Sequence, residues 1–465
     1  MRRTIGTVLV LALVLAGLAT WHYDLLDRWL EPDSSSADPA AIAPPEGVDL
    51  PPVLAPGDVA PVARSSALSP AKVRRALAPY LDDPDLGRHV LAAVAPLAGG
   101  RPVVVGGSGA AVPASTTKVV TSAAALLALG PDHTFQTSVV RAGPRRIVLV
   151  GGGDPFLARA PAAAGDEQPY PARADVVTLA KRTAAALREQ GVRRVRVEYD
   201  AGPFTGPSAS RQWEPDYVPD GVVSPISSLW VDEGRPAQGF GRVADPALDA
   251  AQAFAAALAG AGVTVVDGPT AGAAPPTAET VAQVTGAPLS QVVERVLMVS
   301  DNEAAEVLLR QVGLQVSGDA SFEGGRRGVV RTLREAGVRL AGTTLYDGSG
   351  LSRRNRMTPA VLLDVLRLAT QRPDLAAVVS GLPVSGFSGS LADRFLAGPS
   401  EGRGRVRAKT GTLTGVASLA GVATDVSGRP LLFVLMADRV GRLKGTDAEV
   451  ALDAAAAALG ACRCG

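Results

Sequence analysis

Three short polar runs stand out in a chain otherwise rich in alanine and glycine. The first, Ser115-Thr116-Thr117-Lys118, opens the most apolar helical pattern in the sequence, Thr116 to Leu129, which Gly130-Pro131 closes. Serine and lysine three apart share one helix face, so the amine can reach the hydroxyl. A serine hydroxyl is a weak nucleophile near neutral pH and needs such a base; burial lowers a lysine's pKa and makes it one. The helix N-terminus adds free N–H groups and the positive end of a dipole for a developing oxyanion. The chemistry these residues suit is nucleophilic acyl transfer.

Spacing alone is weak evidence, because Ser69-Pro70-Ala71-Lys72 fits it too. That copy reads as an N-cap on a charged, solvated helix at the end of a spacer. The second run is Ser300-Asp301-Asn302, and Asn302 is one of only two asparagines, the other being Asn355. By itself it reads as a helix cap or Asx turn. The third run, Lys409-Thr410-Gly411-Thr412, sits between Arg405-Val406-Arg407-Ala408 and Val416 to Ala423, the pattern of an edge strand and its hairpin partner. There Gly411 is expected to let a substrate backbone approach closely, and the lysine and hydroxyls suit a carboxylate.

Composition narrows the alternatives. Lys+Arg 46 against Asp+Glu 45 gives a net charge of +1 with no long block of either sign, so no footprint for nucleic acid exists. Only five of the 46 basic residues are lysine (Lys72, Lys118, Lys181, Lys409 and Lys444), which makes each of them informative. Three histidines, with His22 in an apolar N-terminal run, leave His89 and His133 for any Ser-His-Asp relay or histidine metal site. Cys462 and Cys464, in the last four residues, cannot build a disulfide framework or a four-cysteine zinc site, and read as an exposed tail that pairs in an oxidising compartment.

The 465 residues suffice for several cores. Met1-Arg2-Arg3 followed by apolar Ile5 to Ala19 reads as an export signal or membrane anchor within residues 1–30, oriented by basic residues before the run and acidic ones after it. Residues 31–69, rich in Pro, Ala, Ser and Asp, read as a disordered linker. The folded part begins near Ser69-Pro70, and His89 to Val94 with Pro102 to Val105, around Gly99-Gly100, read as a hairpin.

In this order the three runs form the S-x-x-K, S-D-N and K-T-G set, and the chain resembles active-site serine penicillin-recognising enzymes. Gly151-Gly152-Gly153-Asp154-Pro155-Phe156-Leu157, Trp213 to Tyr217, Pro225 to Leu229 and Tyr346 to Ser352 sharpen the resemblance. It is to the class C low-molecular-mass penicillin-binding proteins, the D-alanyl-D-alanine carboxypeptidase/endopeptidase (S13-like) family. The triple glycine reads as a turn and not a phosphate loop, since no Lys-Ser/Thr follows it. The implied fold is α/β (α+β): a β-lactamase/transpeptidase-like domain, with an antiparallel sheet, flanking helices and an all-helical subdomain, over 70–134 and 274–465. A strand-rich domain is inserted at 135–273, short for the family.

The resemblance also implies roles. Ser115 would attack a D-Ala-D-Ala peptide bond, with Lys118 as base, Ser300 relaying a proton to the leaving amine and Asn302 holding the substrate amide and Lys118. The N–H groups of Ser115 and Thr412 would form the oxyanion hole; Lys409, Thr410 and Thr412, with Gly411 between them, would bind the terminal carboxylate. Asp216, Ser349 and Leu351 are candidates for the stem-peptide side-chain pocket. No metal or organic cofactor is implied. The expected partners are peptidoglycan stem peptides and β-lactams that acylate Ser115, in the cell envelope, with the N-terminal segment a possible membrane contact. Two rival readings stay open: a β-lactamase or esterase on the same scaffold, and a non-catalytic peptidoglycan-binding or β-lactam-sensing module.

Overall fold

Elements are described from a computed structural model that covers residues 67–465 except 98, 164 and 166. The signal or anchor at 1–30 and nearly all of the 31–69 linker lie outside the described residues.

Helix α1, Pro70–Leu81, starts after Ser69 with proline in its first turn. Val73, Leu77 and Leu81 recur every fourth residue and are buried, while Lys72, Arg74 and Arg75 face out. The helix is therefore solvated on one side only, and each buried side chain contributes about 2 kcal/mol. Strands β1, Val90–Pro96, and β2, Val103–Gly106, form the expected hairpin. Helix α2 is Thr117–Leu129, entered through a short 3-10 turn at Ala114–Thr116.

Next come β3 (Thr134–Gly143), β4 (Arg146–Gly151), α3 (Val176–Glu189), β5 (Arg194–Asp200), α4 (Pro246–Gly260), β6 (Thr264–Val265), β7 (Thr270–Ala271) and β8 (Thr280–Pro288). These build a sheet of order β6-β5-β4-β3-β8, with β7 beside β5. Strand β3 is antiparallel to β4 and β8, while β4, β5 and β6 run parallel. Val176, Leu179, Ala180, Thr183, Ala184 and Leu187 make one buried stripe on α3, and with α4 it covers the sheet. Because β8 pairs with β3, this sheet extends past residue 273 to Pro288. The first of the three glycines ends β4 and the other two leave it: a side chain on Gly151 would meet Ser228 and Leu229, and one on Gly152 would meet the Gln136 backbone.

Five helices follow, α5 (Leu289–Val299), α6 (Asn302–Ser317), α7 (Phe322–Glu335), α8 (Pro359–Gln371) and α9 (Ala376–Ser380), then β9 (Val406–Leu413), β10 (Val416–Thr424), β11 (Pro430–Ala437) and α10 (Gly445–Ala461). The first sheet has order β2-β1-β11-β10-β9 and is antiparallel throughout. Leu431, Phe433, Leu435 and Ala437 of β11 face α1 and α10; Leu432, Val434 and Met436 face the core shared with α2 and α8. Both faces are covered, which is why β11 reads as an unbroken apolar run.

The cysteines are paired, and they depart from expectation in where they lie. Cys462 and Cys464 are disulfide-bonded, and Cys464 is fully buried against the α1–α10 core instead of lying in an exposed tail. Its carbonyl accepts the Ser69 N–H at 2.8 Å.

Candidate active site

Ser115 sits in the turn before α2, after Ala114, whose φ of 47° lies in the left-handed region. The Gly348-Ser349-Gly350 loop holds this turn. Gly350 (φ 89°) packs so closely on the Ala114 carbonyl and on Thr117 Oγ1 that a Cβ would overlap the first and lie 2.9 Å from the second.

Lys118, one turn on and fully buried, donates to Ser115 Oγ (3.0 Å), Asn302 Oδ1 (2.8 Å) and the Ser349 carbonyl (2.8 Å). Burial pushes its pKa down to about 8, against the opposing pull of Glu306, Asp301, Asp347 and Glu303. An amine so placed can take the Ser115 proton.

Helix α5 ends at Ser300, left-handed at φ 62° and ψ 42°. The cap of α6 is Asp301, whose carboxylate accepts the Ala304 N–H at 2.9 Å. Asn302 is thus relieved of the capping that its sequence context suggests. It reaches Lys118 with its oxygen and donates its Nδ2 to the Val222 carbonyl at 3.1 Å. Among the described residues no hydrogen bond joins Ser300 to Lys118 or Lys409; its side chain lines the neighbouring cleft.

The third run lies on edge strand β9. Gly411 is small for a reason other than substrate access: a Cβ there would collide with Ser418 Oγ and sit 2.6 Å from Pro113 O and 3.1 Å from Ser115 N. The strand is pressed against the nucleophile's own backbone, and Ser418 Oγ donates to Pro113 O at 2.7 Å to hold it there. Lys409 is fully buried and does not show its amine to solvent; Nζ donates to the Thr410 carbonyl at 2.9 Å. Burial lowers its pKa well below the lysine range, and the nearby charges of Lys118 and Arg394 lower it further. Thr410 Oγ1 lies 3.1 Å from Ser390 Oγ. Thr412 donates its hydroxyl to Glu449, whose other oxygen is 3.6 Å from Arg394, itself paired with Asp453 at 2.8 Å.

Two of the pocket candidates are corrected. Ser349 is fully buried, and what it offers the site is its carbonyl. Leu351, 5 % exposed, belongs to the core. Neither side chain can line a substrate pocket, because the loop around Asp347 folds inward. That buried carboxylate accepts from Gly350 N (3.1 Å), Ser352 N (2.5 Å), Trp213 Nε1 (2.9 Å) and Asn355 Nδ2 (2.6 Å). Asp216 is exposed and lines a cleft of about 450 Å³ with Tyr217, Arg353 and Thr414, the last two residues beyond Thr412.

Sequence reasoning missed Glu306. It is fully buried and accepts the N–H groups of Gly348 (2.9 Å) and Ser349 (2.7 Å). Burial, and then the charge of Asp347, push its pKa up to about 8. The signal was there: a glutamate inside the apolar run Ala304 to Leu309, on the helix that carries Asn302. Glu449 and Ser390 carry no such signal. Among the described residues no group of three His, Cys, Asp or Glu side chains is arranged to hold a metal ion.

Over residues 73–238 and 235–459 the chain matches the D-Ala-D-Ala carboxypeptidase 3 (S13) family. It belongs to that family. This S13 peptidase is 36 % identical over 445 residues to Carboxypeptidase DacB of Mycolicibacterium smegmatis, across 92 % of each chain. It is 31 % identical over 387 residues to a D-alanyl-D-alanine carboxypeptidase of Actinomadura sp., across 68 % of this chain and 71 % of that one. In three dimensions it is similar to penicillin binding protein 4 of Haemophilus influenzae, with a TM-score of 0.66 and 22 % identity, over 83 % of this chain and 98 % of that one. The fold class expected from the sequence is the one this S13 peptidase has.

Proposed function

We propose that the chain is a serine D-Ala-D-Ala carboxypeptidase acting on peptidoglycan stem peptides through an acyl-enzyme on Ser115. The observation that carries this reading is the Lys118 amine, fixed by three oxygens with the Ser115 hydroxyl among them. With a pKa of about 8, roughly a tenth of Lys118 is neutral at pH 7 and able to act as base. Ser115 Oγ bonds to the penultimate D-Ala carbonyl carbon as its proton passes to Lys118. The oxyanion forms against the N–H groups of Ser115 and Thr412, a contribution of about 3 kcal/mol per donor in acyl transfer. The C–N bond then breaks, and the leaving amine takes a proton through Ser300. Water hydrolyses the ester and restores Ser115.

In this reading the terminal carboxylate binds at the hydroxyls of Thr410 and Thr412, in front of the buried Lys409 amine. In the cleft beside Thr414, Asp216 offers a carboxylate for a free amine on the stem peptide. β-Lactams acylate the same serine by the same geometry. Work outside the cytoplasm fits the Cys462–Cys464 disulfide.

The test is acylation of the full chain by a fluorescent penicillin, read by intact mass, alongside D-Ala release from a stem pentapeptide. A stable one-to-one adduct lost in Ser115→Ala, with D-Ala released by the wild type, supports the carboxypeptidase. Rapid penicillin turnover without an adduct moves the reading to a β-lactamase. No adduct and no release from folded protein would leave a binding module.

A further inference from the structure

Beside Ser300 and Asn302 opens a cleft of about 490 Å³ whose walls carry four arginines: Arg173, Arg235, Arg242 and Arg295. Two of them are already matched. Arg242 makes two bonds to Glu303, at 3.0 and 2.7 Å, and Arg235 pairs with Glu233. Of the other carboxylates on these walls, Asp232 lies 3.5 Å from Arg159, and Asp301 caps α6.

Glu233 is buried against Asp301. Burial first, and then the charge of Asp301, raise its pKa well above the carboxylate range. Arg173 and Arg295 are left over: both have a buried Nε with no hydrogen-bond partner, and neither is in an ion pair among the described residues. Arg173 rests 5.8 Å from the Phe156 ring centroid. The acid that faces it, Asp154, is buried and takes the Phe156 N–H at 3.0 Å, with no hydrogen bond or ion pair to Arg173 among the described residues. Two guanidiniums that line a cleft with no hydrogen-bonded or ion-paired anion are free donors for a planar acceptor.

The cleft adjoins the reacting hydroxyl. From Ser115 Oγ to Lys118 Nζ is 3.0 Å and from there to Asn302 Oδ1 is 2.8 Å, and Asn302 is part of the cleft wall. Gly411, on the strand expected to take the terminal carboxylate, borders Ser115 at its backbone N instead. A peptide with its C-terminus along β9 thus has a separate wall for the residues that precede the scissile bond.

We propose that Arg173 and Arg295 form a subsite for a carboxylate on the stem peptide upstream of its D-Ala-D-Ala end. The subsite rests on the carboxypeptidase reading and adds to it a preference for acidic over amidated peptides.

Two pentapeptides test it, L-Ala-γ-D-Glu-L-Lys-D-Ala-D-Ala and the same peptide with the D-Glu α-carboxylate converted to carboxamide, assayed for D-Ala release by the full chain. The expected kcat/KM ratio favours the acid by about tenfold or more, as charge-assisted pairing would give, mainly through KM, and shrinks at high salt. In the double variant Arg173→Gln/Arg295→Gln the ratio falls toward one. A wild type that forms the Ser115–penicillin adduct and releases D-Ala, yet treats both peptides alike, overturns the subsite while sparing the carboxypeptidase. A ratio that survives in the folded double variant also overturns it. A wild type with neither adduct nor release overturns both. The wild-type ratio needs no variant, so the subsite stays falsifiable if the arginine variants do not fold.

Discussion

Glu306 and Lys118 are tied to opposite sides of one residue: the carboxylate takes the N–H of Ser349 at 2.7 Å, and the amine donates to its carbonyl at 2.8 Å. Burial pushes the amine down and the carboxylate up, each to about 8, so the ascending limb of the rate profile belongs to the pair. Lys118 must lose its proton to act, and acylation by benzylpenicillin should rise with pH through a midpoint near 8. Glu306 is the largest of the negative charges that oppose burial at Lys118, ahead of Asp301, Asp347 and Glu303. Removing that charge in Glu306→Gln should lower the Lys118 pKa and shift the midpoint to lower pH, even as the plateau falls with the loosened loop. Acylation rates across pH decide it; an unmoved or raised midpoint would show that Glu306 only packs.

Lys118→Met keeps the buried methylenes and removes the base. General-base loss predicts a fall in acylation rate of about 10²- to 10⁴-fold, with thermal stability near that of the wild type. Stopped-flow acylation and a melting curve on the same sample check both halves.

Gly411→Ala should cost stability as well as rate. Its methyl would meet Pro113 O at 2.6 Å and Ser115 N at 3.1 Å, an overpacking of about 1–3 kcal/mol. Moving the Ser115 turn outward should slow acylation, by up to about a hundredfold for a shift of about 1 Å. Denaturant midpoints and acylation rates provide the comparison.

Glu449 holds the Thr412 hydroxyl that a substrate carboxylate would use. Glu449→Gln removes a negative charge from the path of an anionic ligand, and acylation by penicillin should quicken a few-fold at low salt and less at high salt. A slower reaction in the variant would mean that Glu449 orients Thr412 productively instead of competing for it.

The polar runs were legible because each carries rare residue types at a fixed spacing on a recognisable element. Their division of labour was not. Asp301 and Asn302 are equal candidates for a cap by type, and only the left-handed Ser300 before them decides that Asp301 takes the role. Ser349 and Leu351 are pocket candidates only through the resemblance, and the four bonds converging on Asp347 fold their loop inward. Strand β8 escaped notice because Val284 is its only buried residue, too little to leave an alternating pattern. The buried Cys464 was misread for the opposite reason: what covers it is α1, nearly four hundred residues earlier in the chain, at about that separation for the Lys72–Gly465 bond.

That last contact has a consequence for topology. Ser69 N–H bonds the Cys464 carbonyl and Lys72 Nζ bonds the Gly465 carbonyl, each at 2.8 Å, on the face of the first sheet opposite α2. The beginning and end of the described chain are therefore neighbours, and the body is a closed circuit that could be opened elsewhere. A circular permutant that joins Gly465 to residue 67 through a short glycine linker, with new ends at the exposed Gly428 turn between β10 and β11, should fold and keep its Ser115 chemistry.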